Sequence, residues 1–117
     1  MAAHNDTGHT GEALAAEWLR NCGYNILHLN WRHRHWEVDV IATRNGILHF
    51  IEVKTRRSLR FGYPEDNVSS RKILYLTEAA EEYLYLNPQW NRIQFDVLAI
   101  SLFEKSTEYF FIEDVYL

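Results

Sequence analysis

Trp36-Glu37-Val38-Asp39-Val40-Ile41-Ala42-Thr43-Arg44-Asn45-Gly46-Ile47-Leu48-His49-Phe50-Ile51-Glu52-Val53-Lys54 is the stretch that decides the fold. Two runs rich in Val, Ile and aromatic residues flank Asn45-Gly46. Asn-Gly in that setting is the strongest short-range hairpin signal, because a type I′ turn needs positive φ at both central residues. A two-residue turn sets the register: Arg44 faces Ile47, Asp39 faces Glu52 and Glu37 faces Lys54. With side chains alternating between faces, Glu37, Asp39, Glu52 and Lys54 are expected to share one face. Directly opposed side chains sit about 5 Å apart at Cβ, and like charges so placed destabilise the sheet. Something must offset Asp39 against Glu52.

A divalent cation would do so, since Mg²⁺ takes hard oxygen ligands, typically one or two carboxylates together with substrate phosphate. Lys54, diagonal to Asp39, brings an ammonium to where a phosphate oxygen or an attacking water would sit. That arrangement suits metal-assisted phosphodiester hydrolysis. The same alternation also describes the solvated face of a half-buried sheet, with Glu37 and Lys54 as an exposed pair contributing about 0 to 1 kcal/mol. A longer loop would shift the register and move Asp39 away from Glu52.

Glu37-Val38-Asp39-Val40-Ile41-Ala42, followed by Phe50-Ile51-Glu52-Val53-Lys54-Thr55-Arg56, resembles the Asp…Glu-x-Lys signature of the PD-(D/E)XK nuclease superfamily. More closely, the chain is similar to the YraN-like family of predicted endonucleases, related to archaeal Holliday-junction resolvases. The similarity takes in Gly8-His9-Thr10-Gly11-Glu12 with the helix after it, Gly23 to Leu27, Lys72 and Phe95-Asp96-Val97, and so covers residues 8 to 100. The resemblance implies a DNA endonuclease in which Asp39 and Glu52 hold Mg²⁺ or Mn²⁺. The Val53 carbonyl adds a ligand, Glu12 bears on the metal directly or through water, and Lys54 orients water or stabilises charge on the phosphate. Glu12 has a plainer role as well, since acids favour a helix N-terminus by about 0.3 to 1 kcal/mol. Related sequences commonly carry glycine where this chain has Trp36, which bears on backbone shape and substrate clearance beside the acids.

At 117 residues the chain suits one domain with a single packed core. Cys22 is the lone cysteine and cannot form an intramolecular disulfide, so nothing implies an oxidising compartment. Neither a membrane span nor a signal peptide is apparent, and a cytoplasmic location is the expectation. The formal net charge of −4 argues against simple non-specific nucleic-acid binding, which depends on Lys and Arg neutralising phosphates. Their distribution is more telling: Arg32 and Arg34 precede the hairpin, and Lys54, Arg56, Arg57 and Arg60 follow closely.

Residues 1 to 9 are small and polar, and are expected to fray. Thr10 can cap a helix from Gly11 to Cys22 that Gly23 ends, with Leu14, Ala15, Trp18, Leu19 and Cys22 as its buried stripe. Tyr24 to Trp31 reads as the first strand, followed by a basic turn, Arg32-His33-Arg34-His35. His33 and His35 could be offered as metal ligands, but an isolated H-x-H is more often a solvated loop. Thr55 to Asn67 is a long connection in which Arg56, Arg57 and Arg60 interleave with Phe61 and Tyr63, a mixture that suits a nucleic-acid strand or simply a soluble loop.

Val68 to Leu86 reads as the second helix, capped by Asn67 or Ser69 and stopped before Asn87-Pro88. Ile73, Leu76, Ala80, Tyr83 and Leu84 form its apolar face. Lys72 falls in its first turn, where a cation opposes the helix dipole; phosphate contact would account for it, as would a plain surface lysine. Ile93 to Leu102 is a strand buried on both faces, parallel to the third strand through a right-handed crossover, and Glu108 to Val115 is the last. Asp96 suits a structural hydrogen-bonding role better than that of an acid supporting the metal ligands from behind.

The order α-β-β-β-α-β-β matches a restriction-endonuclease-like, three-layer α/β/α fold with a mixed five-stranded sheet. The expected partner is DNA, with homodimerisation an open option. Two other classes share this fold: a catalytically silent nucleic-acid-binding module and a protein-interaction domain.

Overall fold

The computed structural model describes residues 3–57 and 70–115, with side chains from Thr10 to Arg57 and from Ile73 to Val115. The chain runs α1 (Ala3–Asn21), β1 (Asn25–His33), β2 (Trp36–Arg44), β3 (Ile47–Arg56), α2 (Ser70–Leu86), β4 (Ile93–Leu102) and β5 (Thr107–Ile112). One five-stranded sheet has the order β1-β2-β3-β4-β5. The first three strands form an antiparallel meander, β4 runs parallel to β3, and β5 closes the edge antiparallel to β4. This is the topology expected from the sequence.

The hairpin at its centre forms as the Asn-Gly pair predicts. Asn45 and Gly46 have φ of 54° and 79°, and Arg44 pairs with Ile47. From there the β2–β3 ladder runs to Val40 opposite Ile51. Glycine also ends α1 as expected: Gly23, at φ 92°, donates to the Arg20 carbonyl at 3.0 Å, while Tyr24 N donates to Leu19 O at 3.0 Å. This is a Schellman closure.

The two helices cover opposite faces of the sheet. Ala15 and Leu19 of α1 pack on Val40, Ala42, Ile51, Leu98 and Ile100. Leu76, Ala79, Ala80 and Tyr83 of α2 pack on Val38, Ile41, Leu48 and Phe50. The central strands β3 and β4 carry long buried runs because both of their faces are covered.

Several boundaries differ from the sequence expectations. The α1 backbone is helical from Ala3, so residues 3–9 continue the helix and Thr10 lies inside it, where it cannot act as N-cap. The basic turn is shorter than expected, because Arg32 and His33 lie on β1 and only Arg34-His35 turn, with Arg34 at φ 56°. At the C-terminal end, β5 stops at Ile112: Asp114 takes φ 57° and leaves the ladder, and its N–H goes to Asp96 instead. The cap expected at Asn67 or Ser69 lies outside the described residues. No helix among the described residues is long and apolar enough to cross a membrane.

Candidate active site

The β2–β3 ladder ends where the acids begin. Beyond Val40 and Ile51, Asp39 Oδ2 accepts the backbone N–H of Val53 at 2.8 Å. A side chain thereby takes up a main-chain donor, while β2 stays paired with β1 through Val38, Glu37 and Trp36. Asp39 is partly buried, and burial is the main reason its pKa rises from 3.8 to about 6. The Val53 N–H bond lowers it, and the charges of Glu52, Glu37 and Glu12, in decreasing order, raise it further. Acids from β2, β3 and α1 therefore act on one carboxylate.

Glu12 is brought here by a close approach of α1 to β3. A Cβ at Gly11 would overlap the side chain of Thr55, so only glycine lets the helix lie this near the end of β3. Glycine inside a helix gives up about 1 kcal/mol relative to alanine. The sequence signal was a glycine within an otherwise helical run, followed directly by the acid. Glu12 is exposed and lines an open cleft of about 560 Å³ with Glu17 and Arg20 of α1 and Leu29 and Asn30 of β1.

The expected sharing of one face by four charges needs correction. On β3, Leu48 and Phe50 face α2 while Ile51 and Val53 pack on the α1 side, so alternation puts Glu52 and Lys54 on the α2 side. Glu37 has the opposite parity. It lies across from Arg32 and meets that guanidinium at 3.5 Å, both side chains being well exposed. Lys54 is therefore not its partner as expected. The alternation of β2 also changes parity between Val38, which packs toward α2, and Val40, which packs toward α1. Asp39 stands at that change.

The expected basic residues gather at the same end of the sheet by topology, because β1 ends and β2 begins where β3 ends. Arg34 sits exposed in the β1–β2 turn, Arg56 is the last residue of β3, and Arg57 follows it exposed. The Tyr75 hydroxyl donates to the His35 carbonyl, tying α2 to that turn. Arg60, Phe61 and Tyr63 lie outside the described residues, as does the side chain of Lys72, whose backbone is in the first turn of α2. Trp36, where relatives were expected to carry glycine, lies tilted against the His35 ring with centroids 4.1 Å apart and packs on the α2-side core. Its indole N–H is buried without a hydrogen-bond partner among the described residues.

His33 Nε2 meets Glu82 Oε1 at 3.1 Å, so the H-x-H pair divides between a carboxylate and an aromatic ring. Among the described residues, no three His, Cys, Asp or Glu side chains gather into a ready-made metal cage.

Comparison with known proteins places the chain. Residues 11–100 match the model of a family described as "Uncharacterised protein family UPF0102". The chain belongs to that family. A UPF0102 protein of Flavobacterium psychrophilum is 45% identical over 100 residues, covering 86% of this chain and 84% of the relative. One from Christiangramia forsetii is 40% identical over 116 residues, covering 99% and 98%. One from Syntrophomonas wolfei is 45% identical over 98 residues, covering 83% and 85%. The stretch that identifies a UPF0102 member thus starts at Gly11, which permits the helix contact, and includes Glu12, Asp39, Glu52 and Lys54.

Proposed function

We propose that this UPF0102 chain is a metal-dependent endonuclease that hydrolyses DNA phosphodiester bonds, with branched or damaged DNA as the substrate class. The observation that carries this reading is Asp39: a partly buried carboxylate at the fork of two strands, crowded by Glu52, Glu37 and Glu12 and pushed up to about 6. A site that concentrates negative charge in this way disfavours its own ionisation unless a cation joins it.

The donors present fit Mg²⁺ or Mn²⁺. They are hard oxygens, from Asp39, Glu52, the Val53 carbonyl and Glu12. A cage of three side chains is not required, since Mg²⁺ is usually held by one or two carboxylates and completes its shell with water and substrate phosphate. When bound, such an ion supplies charge stabilisation to the phosphodiester under attack.

The chain's own residues do the rest. The Val53 N–H holds one oxygen of Asp39, fixing that carboxylate edgewise against β3. Lys54, next along β3 and partly buried, supplies a cation to steady the attacking water or the charge that develops on the phosphate. Arg32, Arg34, Arg56 and Arg57 carry the positive charge that draws a phosphate backbone to this end of an otherwise acidic protein. Arg60, Phe61, Tyr63 and Lys72 extend the proposed contact along the chain.

The test is a nuclease assay on branched, flapped, single-stranded and duplex DNA with Mg²⁺ or Mn²⁺, beside Asp39→Asn. Metal-dependent cleavage that disappears in the variant supports the proposal. DNA binding without cleavage on every substrate overturns it in favour of a silent binding module, and absence of salt-dependent DNA affinity points instead to a protein-interaction domain.

A further inference from the structure

We infer that Asn30 is the positioning residue for Asp39: its left-handed backbone switches the facing of β1 and β2 together and so turns the Asp39 carboxylate edgewise toward β3. Asn30 has φ 54° in the middle of β1, in a region that most side chains avoid and that Asn and Gly tolerate best. The register on either side runs Leu29 with Val40 and Trp31 with Val38, which brackets Asn30 against Asp39 without pairing them.

Side-chain facing shows what this does. His28 bonds the Tyr83 hydroxyl at 3.2 Å, and Trp31 packs edge-on against the same Tyr83 ring at 5.3 Å. Two residues three apart thus meet one α2 side chain, where a regular strand would send them to opposite faces. Between them, Leu29 and Asn30 border the cleft beside α1. Across the ladder β2 makes the same step: Ile41 and Val38 face α2, while Val40 faces α1. Both strands therefore change parity at one position, which keeps their cross-strand pairs in register. Asp39 is the residue of β2 at that position, and its Oδ2 reaches the Val53 N–H in the neighbouring strand.

Irregularities that re-aim a side chain are over-represented beside active sites. Here the device needs a backbone and no particular side chain. The catalytic use of the re-aimed carboxylate rests on the nuclease reading above; the positioning itself does not.

The experiment compares Asn30→Gly, Asn30→Ala and Asn30→Val with the parent by amide hydrogen exchange, using Asp39→Ala as the reference for a broken Val53 bond. Gly accepts positive φ, Ala resists it and Val resists it most. Val53 N–H should exchange at the parent rate in Asn30→Gly and about tenfold or more faster in Asn30→Ala, while Ile51 and Leu98 amides hold their protection. Asn30→Val should show the larger effect, and should it fail to fold, the Gly and Ala pair still decides. Unchanged Val53 exchange in a folded Asn30→Ala, or Val53 exposure in Asn30→Gly, overturns the proposal. If the parent cleaves DNA, Asn30→Ala should lower the single-turnover rate with DNA affinity unchanged and Asn30→Gly should restore it. If the parent does not cleave, the nuclease reading fails while the exchange result still decides the positioning.

Discussion

Two aspartates lie within the sheet at nearly the same level, Asp96 on β4 beside Ile51 and Asp39 on β2 next to Val40, which also pairs with Ile51, and their surroundings treat them in opposite ways. Asp96 is fully buried and its carboxylate is well supplied. His49 Nδ1 meets it at 2.7 Å, Gln94 Nε2 donates at 2.8 Å and the Asp114 backbone N–H at 2.9 Å. The Tyr24 ring stands edge-on to His49 at 5.0 Å, and Arg44 lies over that ring, 5.3 Å from its centroid. At the fork, Asp39 has the Val53 N–H at 2.8 Å and three carboxylates acting against it. A buried charge that is fully hydrogen-bonded ties strands together. One that is crowded by like charge is held at a cost to stability, which marks a candidate functional site.

The sharpest way to break this contrast is to remove Asp96. Asp96→Ala strands the buried His49 imidazole and two other donors, and should destabilise the protein by about 3 to 5 kcal/mol. Denaturant unfolding measures it. A loss below about 1 kcal/mol would show that the network around Asp96 contributes little to holding β3, β4 and the C-terminal segment together.

Lys54→Ala comes next and should do the reverse. Fold and metal binding should stay nearly intact while Mg²⁺-dependent cleavage falls about 10²- to 10³-fold, equivalent to about 2.7 to 4 kcal/mol of transition-state stabilisation. Single-turnover cleavage beside unfolding curves separates the two effects. Cleavage at the parent rate, or activity that vanishes only through unfolding, would remove Lys54 from the site.

Asp39→Asn should stabilise the metal-free protein. The raised pKa means that the folded state binds more protons than the unfolded chain between pH 3.8 and about 6, so stability falls as pH rises through that window. Above it the whole cost is present, at most about 3 kcal/mol for a shift of this size. The variant should therefore gain about 1 to 3 kcal/mol at neutral pH and lose that part of the pH dependence. It should also lack the rise in melting temperature that the proposed Mg²⁺ or Mn²⁺ binding would give the parent by mass action. A variant no more stable than the parent at neutral pH would argue that Asp39 is at ease where it sits.

The smallest effect concerns the basic end of the sheet. Replacing Arg56, Arg57 and Arg60 together should weaken DNA binding while leaving stability nearly unchanged. The salt dependence of binding should fall by about one unit of slope for each phosphate that the variant no longer neutralises. Binding equal to the parent at every salt concentration would remove these arginines from the proposed DNA interface.

Much of this molecule was legible in its sequence because the signals were local. Asn45-Gly46 set the hairpin register, Gly23 the end of α1, the largely apolar run Ile93–Leu102 the strand buried on both faces, and helical spacing the stripe through Ala15 and Leu19. Each depends on dihedral preferences or periodicity within a few residues. The tertiary structure alone decided which charges meet. Strand periodicity predicted Glu37, Asp39, Glu52 and Lys54 on one face, but a compensated change of parity at Asn30 and Asp39 divides them, and Arg32 takes Glu37. No single strand records such a step, because its partner absorbs it and the ladder resumes in register. Nor does α1 by itself disclose that Glu12 acts on Asp39; that follows from the missing side chain at Gly11, which lets the helix close onto Thr55 from a strand more than forty residues along the chain.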